Sequence, residues 1–169
     1  MDSCNTRSRK ESGKRRLVPI ALFCVLGALW LPAKAQSVED IALNFVTTHR
    51  VGSNLPQMAL AVASRTETFR MLGHRLGLPE AQKQVQDEIA IVAPTYQARW
   101  DKNLATAYAR HLSAEELASL NTEGARSPYI SKFASLQRAV GEDMRTSSEP
   151  MLTEMVAEVL VNVFPLVEE

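Results

Sequence analysis

The chain is 169 residues long, and its 19 basic and 19 acidic side chains cancel. Seven of those basic residues and two of the acidic ones precede Gln36, so residues 36–169 carry 12 basic against 17 acidic groups, a net charge of −5, and hold neither cysteine, Cys4 nor Cys24. This balance excludes a nucleic-acid partner, which needs clustered Lys and Arg, and the lack of thiols in residues 36–169 excludes disulfides, cysteine nucleophiles and cysteine-ligated zinc there.

The first predicted element is an export leader. Arg7, Arg9, Lys10, Lys14, Arg15 and Arg16 lead into an apolar run over residues 17–31, then into Pro32-Ala33-Lys34-Ala35-Gln36. A basic start, a short apolar stretch and small residues at Ala33 and Ala35 form the pattern of a secretory signal peptide, with cleavage expected between Ala35 and Gln36. The run is shorter than the roughly 20 residues that cross hydrocarbon, and it contains Pro19. Leu22 and Phe23 ahead of Cys24 do not suit a lipoprotein cleavage box, and Leu17-Val18-Pro19 follows Arg15-Arg16 poorly for twin-arginine export. The expectation is a signal peptide over residues 1–35, general secretion to the periplasm or beyond, and membrane contact only during export. One domain is then expected over residues 36–169, long enough to bury roughly two-thirds of its unfolded surface.

Through that domain apolar residues recur at helical spacing, and no stretch shows sustained period-two alternation bounded by hairpin turns. This predicts an all-α fold, a compact bundle of about six or seven short to medium helices. Ser37 caps the first, with Glu39 and Asp40 facing the positive end of the helix dipole and Val38, Ile41, Phe45 and Val46 inward. It is expected to stop near Val51-Gly52-Ser53. A second helix starts at Ser53 or Asn54, tolerates Pro56 in its first turn, and carries an inward stripe of Leu55, Met58, Val62, Phe69, Leu72 and Leu76 up to Gly77. A third follows Leu78-Pro79, with Ala81, Val85, Ile89 and Val92 inward and Lys83, Gln84, Gln86 and Asp87 outward. Pro94 is expected to stop or kink it, because a mid-helix proline removes one hydrogen bond and clashes one turn back.

Residues 95–112 form the most strongly patterned helix. Tyr96, Trp100, Leu104 and Tyr108 make a candidate seam along it. Ser113-Ala114-Glu115-Glu116 is a capping box that opens a short helix with Leu117 and Leu120 inward. Ser127-Pro128 is a further start signal, before a helix with Ile130, Phe133, Gln137, Val140 and Met144 on one face. Residues 146–150 read as a turn into the last helix, whose inward residues are Leu152, Met155, Val156, Val159, Leu160 and Val163 and which Pro165 closes.

Motifs that carry chemistry are scarce. His49, His74 and His111 are far apart, and His111 and Glu115 straddle the capping Ser113, so no metal is expected; His111 reads as a C-terminal residue meeting the helix dipole. The acidic pairs Glu39-Asp40, Asp87-Glu88, Glu115-Glu116 and Glu142-Asp143 are adjacent in sequence and point about 100° apart on a helix, which prevents each pair from flanking one bond. No glycine-rich phosphate loop and no serine-nucleophile signature is present, so no cofactor is expected and an enzyme is disfavoured. Two readings stay open for the Tyr96–Trp100–Leu104–Tyr108 seam, plain core or the wall of a pocket. Met58, Met71, Met144, Met151 and Met155 read mainly as core filler, the alternative being an adaptable binding surface. Arg65, on or near the inner side of the second helix, needs a carboxylate partner if buried; otherwise it faces a cleft or a subunit interface.

Over residues 100–133 the sequence carries Trp100, Tyr108, Leu112-Ser113-Ala114-Glu115-Glu116-Leu117, Leu120, Ser127-Pro128 and Lys132. In these positions it resembles the exported bacterial family known as domain of unknown function 2059. It departs from that pattern at Glu123-Gly124-Ala125-Arg126, where the family has Phe-Tyr shortly before Ser-Pro, and at Ile130, where the family has glycine. The resemblance implies a small exported helical bundle, gives Ser113, Glu116, Leu117, Leu120, Ser127, Pro128 and Lys132 a structural role, and implies no reaction. The expected function is a non-enzymatic interaction module of the cell envelope that binds another envelope protein or itself through an apolar groove. The rival expectation is a carrier or enzyme for a small apolar ligand held between helices, with Arg65, Tyr96, Trp100 and Tyr108 converging on it.

Overall fold

A computed structural model describes residues 36–164; the expected leader, with Ala33 and Ala35 of its cleavage site, lies outside the described residues. Among the described residues there are seven α-helices and no strand, which makes the fold all-α. None of these helices is long and apolar enough to cross a membrane.

Helix α1 (Val38–Thr48) starts at a capping box in which Ser37 Oγ accepts from the Asp40 amide at 3.1 Å and Asp40 returns the contact to the Ser37 amide at 3.2 Å. It ends slightly before the expected stop, where Arg50 takes a left-handed backbone at φ 51°. The expected second helix is two helices, α2 (Leu55–Ala63) and α3 (Glu67–Leu76). Thr66 makes the break: its hydroxyl donates to the Ala63 carbonyl at 2.7 Å and accepts from the Phe69 amide at 3.1 Å, closing one helix and capping the next. Within α2 the buried face is Leu55, Ala59 and Ala63, a different face from the expected stripe. Leu55, Phe69 and Leu72 stay buried, but Met58 is 40% exposed and Val62 only half-buried.

The two helices expected on either side of Pro94 are one, α4 (Leu78–Ala109), 32 residues long and entered through Gly77 at φ 84°. Pro94 lies on its exposed face beside exposed Ala90, while Val85, Ile89, Val92, Ala93, Tyr96 and Trp100 hold one buried stripe across it. A mid-helix proline costs about 3 kcal/mol, and each of several large buried side chains offsets about 1.5–3 kcal/mol. Packing therefore wins over the local break.

Helix α5 (Ala114–Glu123) has its expected capping box, with Leu117 and Leu120 fully buried, and passes through a 3-10 turn (Gly124–Arg126). The expected helix from Ser127 divides into α6 (Ile130–Ser135) and the start of α7 (Gln137–Val163), with Ile130 37% exposed. The expected turn at residues 146–150 is absent, and α7 runs through Pro150 for 27 residues. Here buried Ser148 faces Asn103, whose amide donates to Ser148 Oγ at 3.0 Å and to the Ser147 carbonyl at 3.3 Å, and Met151 and Leu152 are buried on the same flank. The bundle is thus not built only of short and medium helices. Two long ones, α4 and α7, form its axis; α1, α2 and α3 pack on α4, and α2 also packs on α7.

Candidate functional site

The spacing of four that sets Tyr96, Trp100, Leu104 and Tyr108 on α4 puts one side chain per turn on the face toward α7 and α2. Three of them become the floor of a hollow of about 690 Å³: Trp100, Leu104 and Tyr108 line it, and Arg65 stands at its mouth. The walls are Met58 and Val62 from α2 and Val140, Met144 and Leu152 from α7. The floor is firm. Trp100 and Tyr108 are 4% and 1% exposed, the Trp100 indole donates to Asn54 Oδ1 at 3.3 Å, and the Tyr108 hydroxyl meets the Gln137 amide at 3.4 Å. Burial pushes the Tyr108 hydroxyl above its ordinary pKa, with Gln137 opposing.

Tyr96 does not join that hollow. Its hydroxyl donates to Glu158 Oε2 at 2.8 Å, and that bond, then burial, then the negative charge of Glu154 push it up to about 12. Arg65 is not on the inner face of a helix. It sits in the break between α2 and α3, exposed, and its side chain has no hydrogen bond or ion pair among the described residues.

A second, shallower hollow of about 860 Å³ adjoins the first across Val62 and Thr153. It runs between α3 and the second half of α7, lined by Thr66, Thr68 and Met71 on one side and Val156, Leu160, Val161 and Phe164 on the other, and among the described residues no charged side chain lines it. Met71 and Val161, at 42% and 67% exposure, stand on its two rims. Of Met58, Met71, Met144, Met151 and Met155, the last three are buried, with Met144 also walling the deeper hollow, while Met58 and Met71 are exposed and line one hollow each.

The residues that carry the family resemblance lie elsewhere. Glu116 caps α5 through Ser113 and receives Lys132 Nζ on both carboxylate oxygens at 2.7 Å, which with Ser113 holds its carboxyl below the usual range. Buried Ser127 accepts from the Tyr129 amide at 3.2 Å and shares a hydrogen bond with Ser119 at 2.8 Å, and exposed Pro128 lies between Ser127 and Tyr129. With Leu117 and Leu120 in the core, this set fastens α5 to the following turn and to α6.

His111, expected to meet the helix dipole, is held across the bundle by Asp143 at 2.9 Å, with Arg110 at 3.2 Å from the same carboxylate. First the His111 hydrogen bond and then the Arg110 charge draw the Asp143 carboxyl below its ordinary value, against burial. Among the described residues no group of three histidine, cysteine or acidic side chains is placed to hold a metal ion. Comparison with known protein families, with curated proteins and with solved structures returned no match for this chain.

The hollows draw on signals that periodicity cannot supply. Trp100, Leu104 and Tyr108 form a readable stripe, but their opening onto space depends on α2 turning Leu55, Ala59 and Ala63 to the core, which leaves Met58 and Val62 at the side, and on the Thr66 break, which puts Arg65 beside them. Thr66-Glu67, a cap followed by an acid in the first turn, was the trace of that break.

Proposed function

We propose that this protein is an exported, non-enzymatic interaction module of the cell envelope, which receives an apolar helix in the hollow between α3 and α7. The helix is carried by another envelope protein or by a second copy. One observation carries the reading: a broad depression of about 860 Å³, with no charged side chain lining it among the described residues and with exposed Met71 and Val161 on its flanks. Amphipathic helices bind in such grooves through residues spaced three and four apart, and a flexible methionine rim adapts to different partners. The basic and apolar leader of residues 1–35 supports export, and the resemblance over residues 100–133 supports membership of an exported bacterial bundle family.

A photo-crosslinking amino acid placed at Val161, at Met71 and, as a control, at Ile91 tests this in cells that export the protein. Ile91 is 71% exposed and lines neither hollow. The expected result is a discrete adduct from Val161 and Met71 and none from Ile91, its mass distinguishing a second copy from another protein. No adduct from either groove position, or equal adducts from all three, overturns the proposal.

A further inference from the structure

The deeper hollow, floored by Trp100, Leu104 and Tyr108, has a chemistry of its own. We infer that it binds a single-chain amphiphilic anion, a hydrocarbon chain ending in one carboxylate, with Arg65 taking the head group. This goes beyond the docking of a partner helix and concerns a different set of residues.

The volume, about 690 Å³, falls within the roughly 300–1,000 Å³ of small-molecule sites. The polar atoms of the floor are already engaged, the Trp100 indole by Asn54 and the Tyr108 hydroxyl by Gln137, so the floor presents carbon to an occupant. Met144, Val140 and Leu152 extend that apolar lining along α7. A chain of methylenes has the chemistry to fill it, each buried CH₂ contributing by its transfer from water.

The charges select the head group. Arg145 also lines the hollow, but Glu142 binds it through two hydrogen bonds and Glu149 adds its charge nearby. Arg65 has no such partner among the described residues, so of the two guanidiniums on the lining it is the one open to a ligand. In a domain whose net charge is −5, a guanidinium with no partner among the described residues, beside an apolar hollow, is a selective feature. Its planar fork matches one carboxylate bidentately, while Glu149 on the same lining repels a head group of higher negative charge. Arg65 also stands three residues after Val62, where the two hollows meet. The head group is thus placed at that junction, with the chain running along α4 toward Tyr108.

Equilibrium binding to the full chain, measured with hexadecanoate, hexadecanol and hexadecyl phosphate, tests the assignment. Hexadecanoate is expected to bind one to one and at least tenfold more tightly than the alcohol. Arg65→Ala is expected to remove that margin while leaving the alcohol unchanged. Gly141 lines the hollow, and a Cβ built on it meets nothing within 4 Å, so Gly141→Leu fills space without disturbing the core and is expected to abolish binding of both. Equal affinity for acid and alcohol, an unchanged margin in Arg65→Ala, tighter binding of the phosphate than the carboxylate, or no binding of hexadecanoate each overturns the inference. None of these outcomes bears on the crosslinks from Val161 and Met71, so the two proposals fail separately.

Discussion

The two flanks of the α4–α7 axis are held together differently. On the flank of α1, α5 and α6, Phe45, Tyr108 and Phe133 interlock at centroid distances of 5.3–5.9 Å, and polar ties run between elements: Lys132 to Glu116, Asn121 to Asn44, and His49 to the Asn121 carbonyl. On the flank of α2 and α3, no side-chain hydrogen bond or ion pair joins either helix to α7 among the described residues, and the nearest equivalent is Arg75 stacked 5.8 Å over Phe164. The first flank has directional bonds that fix one arrangement. The second is bonded to α4 at the start of α2, through Trp100 and Asn54, but meets α7 by non-directional apolar contact, which leaves that contact free to accept another surface. Both hollows lie along the second.

If this contrast is right, the largest loss of stability comes from the first flank. Phe45→Ala removes the ring that packs edge-on against both Tyr108 and Phe133 at 4% exposure, and is expected to cost about 3–5 kcal/mol in denaturant unfolding. A loss below about 1 kcal/mol would erase the distinction between the flanks. The next effect belongs to Gly52, where the chain passes from α1 to α2. A Cβ there would stand 2.0 Å from Asp101 Oδ1, and Gln97 donates to the Gly52 carbonyl at 3.0 Å. Gly52→Ala is expected to cost about 1–3 kcal/mol through this overpacking. The Cβ would also stand 3.0 Å from Cδ1 of the buried Trp100 indole, so Gly52→Ala,Asp101→Ala is expected to recover only part of that loss in the same measurement.

The polar ties of the first flank also carry a pH dependence. Lys132 and Ser113 lower the Glu116 carboxyl in the folded state relative to the unfolded chain, so its contribution is complete above the unfolded value, about 4.3, and is lost as pH falls through the lower folded value. Wild type is expected to lose stability on acidification through that window. Glu116→Gln is expected to start less stable at pH 7 and to fall less steeply, as read from unfolding midpoints across pH 2–7. An unchanged slope would show that the tie is too well solvated to matter.

Much of this contrast was legible in the sequence, but unevenly. The cap at Ser37, the capping box at Ser113 and the α4 stripe follow from local hydrogen bonding and from a period of 3.6, and each stands where its residues place it. The prolines misled because their penalty is local while the packing that overrides it is tertiary: Pro94 and Pro150 both sit on exposed helix faces whose opposite sides are buried. Arg65 shows the reverse. Its place near an apolar stripe leaves open a buried arginine with a carboxylate or one that faces a cleft or interface; the hydroxyl of the next residue ends the helix and puts the guanidinium in the open, on the lining of a hollow. The hollow's floor was thus readable and its opening was not. A stripe shows which side chains turn inward, whereas an opening depends on how far a neighbouring helix fails to cover them.

The smallest expected effect on stability tests the open flank most directly. Val161 is 67% exposed on the rim of the α3–α7 hollow, so the folded protein alone gains little from its side chain. Val161→Ser is expected to shift unfolding by no more than about 0.5 kcal/mol, as surface substitutions do, while reducing the crosslinked adduct formed from Met71 on the facing rim. A residue that packs within its own domain behaves in the opposite way, losing stability with no change in what docks beside it. Finding that opposite pattern would make the α3–α7 face part of the fold's own closure, and the two flanks would then differ only in how they are bonded, with no difference in what they do.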